Sequence, residues 1–75
     1  MDITYITMED KIKVTINKKE TLIDNNTTIK DLIRIRGLKK AAVWINGTQL
    51  LKAEYETRTL TENDDVKILR IMAGG

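Results

Sequence analysis

One stretch of the chain, Thr27 to Leu38 (TTIKDLIRIRGL), has a helical repeat with a start and a stop written into it, and strand-like segments flank it on both sides. Ile29, Leu32 and Ile33 fall on one face at helical spacing. Thr28 is placed to cap the N-terminus by accepting a bond from a free backbone N–H. Asp31, three residues on, completes a box-like pattern and suits the positive end of the helix. Gly37 can take the left-handed conformation that stops a helix, with Leu38 folding back onto the last turn. Ahead of it, KIKVTI (Lys11 to Ile16) alternates with the period of a half-buried strand, placing Ile12, Val14 and Ile16 toward a core. NKK then turns the chain, ETLI (Glu20 to Ile23) returns as a hairpin partner, and DNN (Asp24 to Asn26) ends the pair.

Behind the helix, AAVWING (Ala41 to Gly47) is a strand closed by an Asn-Gly pair, the combination that favours a tight hairpin turn. Val43 and Ile45 point one way, and Ala42 and Trp44 the other. TQLL supplies a short partner and KAEYETRTL an irregular crossing, in which Tyr55 is expected to pack. TENDD, with Asp64 and Asp65, makes a turn, and VKILRIM forms the final strand. In that strand Val66 and Ile68 fit the core face, with Lys67, Leu69 and Ile71 opposite. Two strand pairs around one main helix predict an α+β fold, a small mixed sheet packed on the helix. The first and last strands, both apolar, are expected side by side and parallel in the middle. The domain spans 11–71. Residues 1–10 form an extension that either adds an edge strand or frays, and 72–75 form a flexible tail.

Composition narrows function mainly by what is missing. A 75-residue chain is one domain, burying about 60% of its unfolded surface. It has no cysteine, hence no disulfide, thiol nucleophile or thiolate metal ligand, and no histidine, the commonest general acid-base residue. This favours a carrier or binding module over an enzyme, with no metal site. No apolar run is long enough to span a membrane, and the expected location is the cytoplasm. Lys30, Arg34, Arg36, Lys39 and Lys40 cluster around the helix and its exit. Overall, however, 13 cations face 11 anions, and aromatics are limited to one Trp and two Tyr. The cluster therefore reads as a solvated helix face, with no nucleic-acid partner.

The chain ends RIMAGG, two residues without side chains straight after a strand. Taken with DNNTTIKDLIRIRGL, AAVWING and DDVKILRIMAGG in order and spacing, this ending resembles the ThiS family, the sulfur carriers of thiamine biosynthesis within the ThiS/MoaD superfamily. The resemblance covers roughly Lys11 to Gly75. It implies the ubiquitin-like β-grasp fold and a protein that is a cosubstrate, not an enzyme. It also implies that Gly75 carries the chemistry on its own carboxylate, which is ionised at neutral pH and a poor electrophile. An E1-like adenylating enzyme (ThiF-type), using ATP and Mg, would convert it to an acyl-adenylate that sulfur can attack. The product is a thiocarboxylate, discharged on a thiazole synthase (ThiG-type). The carrier itself binds no cofactor. Ala73, Gly74 and Gly75 would thread the partner's active site, where a residue without Cβ passes a narrow channel.

A carrier visiting two enzymes needs an adhesive face, and Trp44, Leu69 and Ile71 are the apolar residues that alternation places opposite the core. The competing reading has residues 1–10 or the 52–60 crossing cover them as a second small core. Free in solution, the carrier is expected to be a monomer. Carriers for molybdopterin, cysteine or homocysteine synthesis, or tRNA thiolation, share the outline. The molybdopterin carriers typically end in an aromatic, two prolines and Gly-Gly, whereas this chain has Ile71-Met72-Ala73 there and no proline. A ubiquitin-like protein modifier would use the same activated terminus against lysine amines. A nucleic-acid-binding module would leave the Gly-Gly unexplained.

Overall fold

The computed structural model of the chain describes residues 11–71, so the expectations for Met1 to Asp10 and for the tail 72–75 lie outside the described residues. The elements run β1 (Lys11–Ile16), β2 (Lys19–Asp24), α1 (Ile29–Ile35), β3 (Ala41–Ile45), β4 (Thr48–Gln49), a 3-10 turn (Lys52–Glu54) and β5 (Asp65–Arg70). They form one five-stranded sheet in the order β2-β1-β5-β3-β4. β1 and β5 pair in parallel, as the two apolar segments lead one to expect, and β5 runs antiparallel to β3.

The helix lies across one face of the sheet. Its buried residues Ile29, Leu32 and Ile33 meet Val14 and Ile16 of β1, Val66 and Ile68 of β5, and Val43 and Ile45 of β3 in a single core. Each of these positions follows the period-2 or helical spacing of its segment, which is why so short a chain can close a core with three strands and one helix.

The helix is shorter than the TTIKDLIRIRGL stretch because both ends are used as caps. Thr28 accepts the Asp31 N–H on its hydroxyl at 3.1 Å. The Asp31 carboxylate completes no reciprocal box; it accepts from Arg34 one turn on, at 2.9 Å. At the other end Gly37 (φ 75°) donates to the Arg34 carbonyl at 2.9 Å and Leu38 to the Ile33 carbonyl at 3.1 Å. That pair of bonds is the Schellman arrangement, and Leu38 folds back against the core as it requires.

The crossing segment has a role that periodicity does not reveal. The first N–H groups of a helix lack partners within it, and here Ile29 donates to the Arg58 carbonyl (3.1 Å) and Lys30 to the Tyr55 carbonyl (2.9 Å). Thr28 and Thr59 form an isolated β-bridge beside them. Residues 52–60 are thus held on the helix side of the sheet. They do not cover Trp44 and Leu69 from the opposite face, which corrects the 52–60 part of that competing reading; the part resting on residues 1–10 lies outside the described residues. Tyr55 packs against the core and its hydroxyl donates to the Ala41 carbonyl at 3.0 Å.

Both hairpin turns begin with an asparagine at positive φ that also reaches β5. In the first, Asn17 (φ 50°) and Lys18 (φ 70°) make the two-residue turn. The Asn17 side-chain amide accepts from the Ile68 N–H (2.8 Å) and donates to the Ile68 carbonyl (3.2 Å), prolonging the β1–β5 ladder after β1 has turned away. In the second, Asn46 (φ 52°) and Gly47 (φ 86°) give the expected Asn-Gly turn. The Asn46 side chain accepts from the Asp65 N–H at 2.9 Å and donates to the Asp64 carboxylate at 3.1 Å. Asp64 is buried, and its other oxygen accepts the Thr61 N–H at 2.9 Å, so this carboxylate builds the turn into β5.

Two stability measurements test this account. Thr28→Ala removes the cap and should cost about 1 kcal/mol by urea unfolding, most of it recovered by Thr28→Ser. Asn17→Gly keeps a residue suited to positive φ but strips the amide from Ile68, leaving its polar groups unpaired. It should cost about 1–3 kcal/mol, lowering Tm by about 4–8 °C for each kcal/mol; an unchanged Tm would show that the turn conformation alone matters.

Candidate functional site

On the face of the sheet away from the helix, alternation along β5 and β3 sets out Lys67, Leu69, Ala42 and Trp44. The register pairs Trp44 with Lys67 and Ala42 with Leu69, so Leu69 lies diagonal to Trp44 across the two strands. Leu69 is 46% exposed, whereas Trp44 is less exposed, its ring overlain by the Lys67 ammonium at 5.8 Å from the centroid. A cation over an indole face is attracted to its negative quadrupole, and the lysine stem shields part of the ring. The neighbouring part of this face, on β1 and β2, is ionic: Lys11 pairs with Asp24 at 2.6 Å and Lys13 with Glu20 at 3.9 Å. An apolar island of Trp44, Ala42 and Leu69 therefore sits beside a charged border.

Ile71 belongs to a different neighbourhood from Trp44. It follows β5, its N–H donates to the Lys40 carbonyl at 3.1 Å, and it is 49% exposed at the end of the sheet where β3 begins. The structure thus brings Trp44 and Leu69 together and carries Ile71 to the rim of a groove of about 450 Å³. The floor of that groove comes from Ile33, Ala41, Leu50 and Tyr55; Lys30, Lys39, Lys40 and Lys52 stand around it.

Sequence reasoning missed this groove, although the signal was present in the basic cluster at the helix exit. That cluster divides in the structure. Arg34 is paired with Asp31 at 2.9 Å on the exposed helix surface, and Lys30 is paired with Glu56 of the crossing segment at 3.0 Å beside the groove. Lys39 and Lys40, read as part of the same solvated face, line the groove with Lys52 from the 3-10 turn. Among the described residues none of these three has a carboxylate within ion-pair distance. No group of His, Cys, Asp and Glu able to hold a metal occurs among the described residues. No helix among them is long and apolar enough to cross a membrane. Ala73, Gly74 and Gly75 lie outside the described residues, but the strand that leads to them does not. β5 is the middle strand, bonded on both sides, and delivers the chain at Ile71 beside the groove and past the apolar island.

Comparison with known proteins places this architecture. A solved structure of the thiamine biosynthesis protein ThiS from Geobacter metallireducens superposes with a TM-score of 0.70 at 23% sequence identity. The match covers 85% of this chain and all of that one, and it identifies the fold as the ThiS β-grasp. No curated protein matches the chain by sequence. The family model of the ThiS family matches residues 6–75, from within the N-terminal extension through the terminal glycines. On that match, the chain belongs to the ThiS family, whose members are small sulfur carriers and not enzymes.

Proposed function

We propose that this carrier serves thiamine biosynthesis and holds its sulfur as a thiocarboxylate on Gly75. The observation that carries this reading is the family match extending through Gly75, and the Geobacter metallireducens protein of like fold, itself described as a thiamine biosynthesis protein, supports the pathway. The chemistry follows from the terminal carboxylate. As an anion it resists nucleophiles, so an E1-like adenylating enzyme of the ThiF type, with ATP and magnesium, joins it to AMP and releases pyrophosphate. A sulfur donor then displaces AMP at the carbonyl carbon. A thiazole synthase of the ThiG type takes the sulfur and returns the carboxylate. The absence of cysteine from the chain fits a carrier whose sulfur sits on the main-chain terminus.

The geometry of the described residues supports a division of labour. Ala73, Gly74 and Gly75 are slim enough to enter a partner's active site, and β5 holds the base of that tail rigidly. Trp44 and Leu69 form the apolar island on which either enzyme docks, with Ile71 at the root of the tail. Aromatic anchors of this kind dominate the energetics of many interfaces. Shared use of one face makes the carrier visit its two enzymes in turn.

Two experiments test the reading. Incubated with the adenylating enzyme, ATP and a sulfur donor, the protein should gain the mass difference between sulfur and oxygen, and lose that gain when Gly75 is deleted. Larger covalent conjugates with an otherwise unchanged mass would assign it to protein modification instead. In a pull-down with the adenylating enzyme, Trp44→Ala, shown to be folded by circular dichroism, should weaken capture by about 2 kcal/mol, the scale of an aromatic hot spot; undiminished capture would exclude the island as the docking face.

A further inference from the structure

We propose that the lysine-rimmed groove at the end of the sheet is a second docking point, which receives an acidic segment bearing an apolar anchor from the adenylating enzyme. The proposal rests on the sulfur-carrier reading above and adds to it the chemistry by which the carrier is selected.

The groove has two properties that together define an occupant. Its floor is apolar, built from Ile33, Ala41, Leu50 and the ring of Tyr55, whose hydroxyl is already engaged by the Ala41 carbonyl. At about 450 Å³ it has room for a large side chain and the backbone that bears it. Its rim is cationic. Lys39 and Lys40 come from the loop leaving α1 and Lys52 from the 3-10 turn. Among the described residues the rim has one carboxylate, Glu56, and Lys30 holds it at 3.0 Å. Carboxylates around an apolar anchor complement that arrangement, and complementary rim charges steer association and set partner choice.

Position restricts the partner to an enzyme that takes the tail, and the adenylating enzyme is the first of these that the carrier meets. Ile71 lines the groove and is bonded to the Lys40 carbonyl. An enzyme that holds the residues following Ile71 in its active site must therefore also overlie the groove. The Trp44–Leu69 island lies on the other face of the same strands. Contacts to groove and island together clamp the end of the sheet and fix the angle at which the tail departs.

The test uses the full chain and compares two double charge reversals of equal net charge. Lys39→Glu with Lys52→Glu alters the groove from two separate segments. Lys18→Glu with Lys19→Glu alters the β1–β2 turn, at the far edge of the sheet. All four side chains are exposed, and circular dichroism checks folding. Adenylation is followed by pyrophosphate release over a range of carrier concentrations and at several ionic strengths. The groove variant should raise KM by about tenfold with kcat within about twofold, and its KM should lose most of the salt dependence of the unaltered protein. The control should stay close to the unaltered protein. Equal KM values for groove variant and control would overturn the proposal. Failure of the unaltered protein to be adenylated would overturn the carrier reading itself, and this inference with it. Two further outcomes reassign the groove. Fluorescence anisotropy with a labelled single-stranded RNA, showing binding abolished by the groove variant while KM stays unchanged, would give it to nucleic acid. A concentration-dependent dimer in sedimentation that the groove variant dissolves, again with KM unchanged, would give it to a second copy of the chain.

Discussion

The structure depends on the central strand being fastened along both edges. β5 is the last strand in sequence and the middle one in space, so its pairing with β1 closes the longest loop in the described chain. Bringing such distant segments together has an entropic cost that local contacts do not repay. The two turn asparagines offset part of it in the same way. Asn17 bonds both backbone groups of Ile68 from the β1 side, and Asn46 bonds the Asp65 N–H and the Asp64 carboxylate from the β3 side. Each serves twice, accepting positive φ in a tight turn and bonding a neighbouring strand with its amide. With β5 located, Val66 and Ile68 stand under the helix and the core closes.

Much of this was legible in the sequence where local chemistry decides it. Thr28, Asp31, Gly37 and Leu38 mark the helix, and the Asn-Gly pair marks the second hairpin. The alternation of Val14, Ile16, Val43, Ile45, Val66 and Ile68 sorts the two faces of the sheet correctly. The first turn was harder to specify because Asn17 and Lys18 carry no glycine, and Lys18 takes positive φ all the same. The crossing segment was legible only as an irregular stretch with Tyr55 packed; its service to the helix was not. Its residues show no period, and the carbonyls that Tyr55 and Arg58 offer to the helix N-terminus are main-chain groups that every residue type possesses.

The candidate site divides along the same line. Period-2 alternation was enough to place Trp44 and Leu69 on one face. It could not show that Lys67 stands over the indole, because a cross-strand partner is set by register. Alternation also grouped Ile71 with Trp44, yet the strand ends at Arg70 and the chain beyond it sits beside Lys40. The groove was hidden for a related reason: Lys39, Lys40 and Lys52 are brought around one depression only by the return of the chain after β4. Charge close together in sequence looked like ordinary helix solvation, and charge close together in space did not.

The central position of β5 has a mechanical meaning for a protein handled by its end. An enzyme that draws on the chain beyond Ile71 pulls along the axis of β5. Ladder hydrogen bonds in a sheet run roughly across the strands, so such a pull loads the bonds to β1 and β3 in shear, many at a time. A terminal strand at the sheet edge, pulled outward, would peel away one bond after another. The carrier can thus be gripped, turned and released by its tail while the body behind it stays folded.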